Sequence, residues 1–194
     1  MELLEISLRR PEVMVLLNIM KKFSQEVYDH CYSVAKYTEI IVKDDDDFTD
    51  SEKIEVVSGA LLHDIGKIFV PFNLTAAPKR LDPTEFILVK THTVIGYEML
   101  KDSFSEIVCN IARYHHEQPN GSGYMSEMPL SRIPKEALLV QVADIYDALI
   151  SKRTYKNCYE SGSALEIMKN DSRNMKLDDG YLKRLQQYVD SQKK

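Results

Sequence analysis

Apolar positions along the chain recur at helical spacing, and no stretch alternates apolar and polar residues long enough to suggest a sheet. Pro11 suits the first position of an opening helix. Ser24 is placed to cap a second helix running to about Lys43, with Val27, Val34 and Ile41 on one face. Thr49-x-x-Glu52 is a capping box ahead of Ile54, Val57, Leu61 and Leu62, which lead to His63. Asp82-Pro83-Thr84-Glu85 joins a cap, a proline and an acidic first turn, starting a helix toward His92 that continues to Leu100. Gly96 within it marks a bend or a close packing contact. Further helices are expected over roughly Ser105–His116, from Pro134 through Asp144 to about Ser151, over Ser163–Lys169 and over Asp179–Val189. The expected fold is an all-α bundle, with a helical preface over residues 1–23 and one domain over residues 24–194.

Composition narrows the setting. A chain of 194 residues that is 44% hydrophobic and 28% charged can bury a sizeable core as one domain. A net charge of −5 argues against a general affinity for DNA or RNA, because no basic face is left over. Cys31, Cys109 and Cys158 are far apart and form no CxxC pair. They are expected as reduced, buried small hydrophobes of a cytosolic protein, and not as ligands. No basic leader or membrane span is visible, so a cytoplasmic location is expected. The acidic run Asp44–Asp47 lacks the ligand spacing of a calcium loop and reads as a solvated turn.

Against this ordinary background the histidines stand out. Four of the five are accompanied by a further histidine or an acid within four residues: Glu26-x-x-x-His30, His63-Asp64 and His115-His116-Glu117. His92 and Asp144 complete the set. Glu26 and His30 share a helix face one turn apart, whereas the adjacent His63 and Asp64 diverge by ~100° and can reach different sides of one cluster. Asp144 lies among Leu139, Val140, Val142, Ala143, Ile145 and Leu149, where a carboxylate needs a cation or a hydrogen-bond donor. Glycines after His116, in Asn120-Gly121-Ser122-Gly123-Tyr124, permit unusual backbone angles. Taken alone each feature has a bland explanation, such as a surface Glu–His contact. Together they suit iron, manganese or zinc, and a multi-metal site can activate water against a phosphate ester.

These residues carry a resemblance. The ordered series His30, His63-Asp64, His92, His115-His116, Asp144 resembles the HD superfamily of metal-dependent phosphohydrolases. Within it, the blocks Leu62–Ile68, Lys90–Gly96, His115–Tyr124 and Val142–Leu149 resemble the HD-GYP subgroup of bacterial cyclic-di-GMP phosphodiesterases. The similarity runs from about Glu26 to Lys156. Three positions depart from the subgroup: Met125 follows Gly123-Tyr124 where proline is usual, Ala77-Pro78-Lys79 replaces Lys-Pro-Gly, and Thr154 replaces the proline of Arg-Pro-Tyr-Lys.

The resemblance implies an HD-domain bundle with the metal site in its core. One metal would be held by His30, His63, Asp64 and Asp144, and Asp64 would bridge to a second held by His92, His115 and His116. Glu26 would recruit a third. Iron or manganese is expected at these two or three sites, with zinc, nickel and magnesium as alternatives. A metal-bridging hydroxide would then linearise cyclic-di-GMP to pGpG and continue to GMP. Asp64 and Lys67 would serve catalysis, Lys67, Arg153 and Lys156 would clamp phosphates, and Tyr124 would shape the guanine side. The implied partners are a cyclic dinucleotide and either a second copy or a signalling protein, with no nucleic-acid polymer and no membrane. Two other readings stay open: hydrolysis of another nucleotide, and a sensor that binds cyclic-di-GMP without cutting it.

Overall fold

In a computed structural model that describes residues 2–75, 81–124, 128–151 and 158–192, helices make up every regular element and no strand occurs among those residues. Helices α1 (Leu3–Leu8) and α2 (Pro11–Phe23) precede the long α3 (Gln25–Val42) and α4 (Asp50–Leu62). A 3₁₀ segment (Ile65–Phe69) and the short α5 (Phe72–Thr75) follow, then α6 (Pro83–Lys90), α7 (His92–Leu100) and α8 (Glu106–Tyr114). A second 3₁₀ turn (Leu130–Arg132) leads into α9 (Lys135–Ile150), and α10 (Ser161–Arg173) and α11 (Asp179–Ser191) close the chain.

Local chemistry explains most starts. The Ser24 side chain accepts from Val27 N–H, and both capping boxes, Thr49/Glu52 and Asp82/Glu85, form in full. Pro11 sits at the first turn of α2. By contrast, α1 is a separate helix within the expected helical preface, ahead of the start at Pro11. It has six residues and no side-chain cap, too little to hold a helix alone. Tertiary bonds hold it instead: Leu4 N–H donates to Glu39 Oε1 (3.1 Å) and Ser7 Oγ to the Ile54 carbonyl (3.2 Å).

One continuous apolar core runs from Leu4, Val13, Leu17 and Met20 through α3, α4, α8 and α9 to Leu182 and Val189. The centre of the bundle is the packing of α3 on α4 and α9, and of α4 on α8. The stretch expected as one helix from Asp82 to Leu100 is two, meeting at Thr91, whose N–H bonds back to the Leu88 carbonyl (3.2 Å). Gly96 lies within the unbroken α7 and a Cβ there would meet only ordinary contacts, the nearest 3.5 Å away, whereas Gly66 is a tight contact. A Cβ on Gly66 would lie 2.0 Å from the His92 carbonyl oxygen, so only glycine lets the 3₁₀ segment cross α7 at this distance.

Two expectations change. Asp45 is no solvated turn residue: it is buried, pairs with Arg184 (2.8 Å) and accepts from Asp47 N–H (3.0 Å). Cys31 and Cys109 are buried as expected, but Cys158 is exposed. No helix among the described residues is long and apolar enough to cross a membrane.

Candidate metal centre

Five separate chain segments deliver polar side chains to one buried point. His30 comes from the middle of α3, His63 from the end of α4, and Asp64 from the turn into the 3₁₀ segment. His92 opens α7, His115 and His116 follow α8, and Asp144 sits on α9. Their polar atoms gather in two adjoining groups. In one, Asp64, His92, His115 and His116 offer atoms all within 4.8 Å of one another; in the other, His30, His63 and Asp144 do the same. Asp64 joins the groups, with Oδ2 3.8 Å from His30 Nε2 and Oδ1 3.3 Å from His92 Nε2.

The ring orientations follow from the backbone. His63 Nδ1 donates to the Ala60 carbonyl (2.8 Å), His92 Nδ1 to Val89 (2.7 Å) and His115 Nδ1 to Ile111 (2.9 Å). A carbonyl only accepts, so each Nδ1 carries the proton and each ring turns its Nε2 inward, with a lone pair there on neutral His92 and His115. His92 Nε2 and His115 Nε2 then face each other at 3.4 Å, an arrangement that repels unless a cation lies between them. Buried His63 Nε2 and Asp64 Oδ1 have no hydrogen-bond partner among the described residues. Orphaned polar atoms of this kind are costly in a dry interior. Imidazole and carboxylate groups converging on one buried point fit a divalent transition metal.

Electrostatics divide the centre in two. Burial lowers His92 to about 4 and His116 to about 3, and holds His115 well below its ordinary value, so these rings stay neutral. Burial also opposes charge on His30, but bonds to Asp144 (3.0 Å) and Asp147 (2.6 Å) outweigh it and raise its pKa. Burial pushes Asp64 up, yet Lys67 and His63 hold it well below the usual carboxylate range. The Lys67 ammonium donates to Asp64 Oδ2 at 2.5 Å.

The remaining expected residues fall into three sets. Tyr124 stacks on His116 (centroids 4.5 Å apart) and reaches it through a loop that folds back, Tyr124 N–H donating to the His116 carbonyl (3.2 Å). Gly121 has the positive φ (77°) of that loop, and a Cβ on Gly123 would stand 2.5 Å from the same carbonyl. Glu26 is exposed on the first turn of α3 and belongs to neither ligand group. Arg153, Lys156, Met125 and Ala77-Pro78-Lys79 lie outside the described residues.

Two contacts were missed from the sequence. Asp147 fixes His30 from behind, and its place three residues after Asp144 in an apolar helix was the available signal. Cys31, expected only as a core thiol, is buried with its sulfur within 4.8 Å of ligand atoms of His63 and Asp64.

A helical bundle that buries an adjoining pair of His/Asp groups defines a class of folds able to hold metal ions. The chain belongs to the HD-domain family, whose model, described as HD domain, matches residues 15–180. A cyclic di-GMP phosphodiesterase of Thermotoga maritima is 37% identical over 75% of this chain and 40% of its own length. A 3'3'-cGAMP-specific phosphodiesterase of Vibrio cholerae is 32% identical over 73% of this chain and 28% of its own. The chain thus spans less than half the length of these curated relatives. Among solved structures, an HDG"Y"P protein of Bdellovibrio bacteriovorus shares the fold with a TM-score of 0.71 at 23% identity, covering 84% of this chain and 52% of its own.

Proposed function

We propose that this HD domain is a metal-dependent phosphodiesterase that opens cyclic dinucleotides, with cyclic-di-GMP, cut to pGpG, as the first substrate to test. The observation that carries the reading is the convergence of inward-facing imidazole nitrogens on Asp64, which has no other bonding partner for one oxygen. His30, His63, Asp64 and Asp144 would hold one ion, and Asp64, His92, His115 and His116 a second; iron or manganese suits this donor set. Divalent ions held there would lower the pKa of coordinated water and neutralise charge on the phosphate.

The chain's own residues do the rest. Asp147 accepts the His30 Nδ1 proton and so fixes the ring with Nε2 aimed at Asp144 and the centre. Lys67, held on Asp64, balances part of the acidic charge and stands at the edge of the centre, where a phosphate oxygen can meet its ammonium. Burial of His92, His115 and His116 keeps them unprotonated at neutral pH and ready as ligands. Arg153 and Lys156 remain candidate phosphate clamps from sequence, and Glu26 a candidate ligand for a third ion. A hybrid cyclic dinucleotide is the second reading, favoured by the cGAMP-specific relative.

The test is turnover of cyclic-di-GMP and 3'3'-cGAMP by reduced protein loaded with iron or manganese, alongside Asp64→Ala. Cleavage by the parent protein and a loss of orders of magnitude in the variant are expected. Binding without cleavage by the loaded parent protein would make it a sensor instead.

A further inference from the structure

Helix α6 is apolar yet buries none of its residues: Phe86 is 43% exposed, Ile87 58% and Leu88 46%. One face of this helix is tied to the metal centre. The Phe86 ring meets Tyr124 edge-on (6.0 Å, 77°), and Tyr124 in turn stacks on the candidate ligand His116. One turn on from Phe86, the Lys90 ammonium lies 4.9 Å from the centroids of both rings. No carboxylate pairs with Lys90 among the described residues, unlike Lys67, which is committed to Asp64. An aromatic pair with a cation lying over it that no carboxylate neutralises, two ring contacts out from the candidate metal centre, has the layout of a nucleotide: phosphate inside, sugar between, base outside.

We propose that Phe86 and Lys90, with Tyr124 behind them, form a purine subsite in which the substrate base stacks on Phe86 and presents its acceptor edge to Lys90. The inference rests on the cyclic-dinucleotide reading and adds a base preference to it. Guanine offers two acceptors, O6 and N7, to a lysine, whereas adenine offers N7 beside an N6 donor. The subsite therefore favours guanine.

The experiment compares KM and kcat for cyclic-di-GMP and cyclic-di-AMP in the metal-loaded parent protein, F86A, F86W, K90M and K90Q, with metal content and circular dichroism recorded for each. Stacking on an aromatic ring contributes enough that F86A should raise KM for cyclic-di-GMP by about tenfold or more with little change in kcat, and F86W should restore it. Both K90M and K90Q should cut the guanine-over-adenine preference in kcat/KM by about tenfold. A merely structural role for these side chains would leave that ratio untouched. Variants that keep KM and the ratio within about twofold of the parent overturn the subsite. A parent protein that hydrolyses bis(p-nitrophenyl) phosphate but neither dinucleotide overturns the functional reading itself, a different and separable result.

Discussion

At the scale of single residues, Asp147 shows how a side chain outside the ligand set can govern it. Its carboxylate takes the His30 Nδ1 proton at 2.6 Å, fixing both the tautomer and the angle at which Nε2 enters the centre. Supporting groups of this kind typically carry about 10–100-fold in metal affinity. Asp147→Ala should therefore bind metal about 10–100-fold more weakly, read by competition with a chromophoric chelator, while Asp147→Asn, which can still accept through its amide oxygen, should lose less. Equal losses in the two variants would count against the tautomer argument. The residue was within view of the sequence, since Asp144 had already been singled out for its apolar surroundings. Only the fold shows that Asp147 and Asp144 grip the same imidazole from its two nitrogens.

At the scale of elements, the crossing of the 3₁₀ segment over α7 is the decisive joint. Gly66 meets backbone atoms there, the His92 carbonyl and the Gly96 nitrogen, and neither can swing aside as a side-chain tip could. Gly66→Ala must push the two elements apart, which moves Asp64 and His92 relative to each other. The expected cost is about 3 kcal/mol of stability, at the upper end for overpacking, together with weakened metal binding. Urea unfolding of the chelated protein measures the first effect and metal content the second. A gentler contrast is Thr49→Ala, which removes only the α4 cap and should cost about 1 kcal/mol without touching the centre.

At the scale of the whole molecule, the buried histidines make the stability of the metal-free protein depend on pH. In the metal-free protein, His92 and His116 have pKa values of about 4 and 3, and His115 is also well below normal, all from burial. Unfolding returns each to about 6.5, so the unfolded chain takes up protons first. Stability from these rings is thus present above about pH 6.5 and falls as pH drops toward 4, by about 1.4 kcal/mol per pH unit for each. His30 and His63 act in the opposite sense. Burial resists their charge, but Asp144 and Asp147 around His30, and Asp64 and Cys31 around His63, raise both. Their contribution is complete below about pH 6.5 and is lost as pH rises through their folded values. Urea midpoints of chelated protein at pH 5, 6.5 and 8 should therefore peak at the middle value, and a flat profile would contradict the burial argument. Adding metal at about 100 times its Kd should stabilise the fold by about 2.7 kcal/mol at pH 7.

Much of this was written in local sequence. Helix starts at Ser24, Thr49 and Asp82 depend on side chains within three residues, so their chemistry is legible without knowing the fold. The His and Asp positions were legible too, because polar residues at the ends of apolar helices need partners. Other features belong to the tertiary structure alone. Helix α1 exists through contacts with α3 and α4, the joint at Thr91 accompanies close packing against Gly66, and Asp45 is buried by its pairing with Arg184 on α11. The same division runs through the candidate centre: the sequence supplied the His and Asp side chains and their order, while the meeting of Asp64 with four other segments needed the bundle to close. Contacts across such chain separations depend on which helix faces pack together, and no local spacing encodes that.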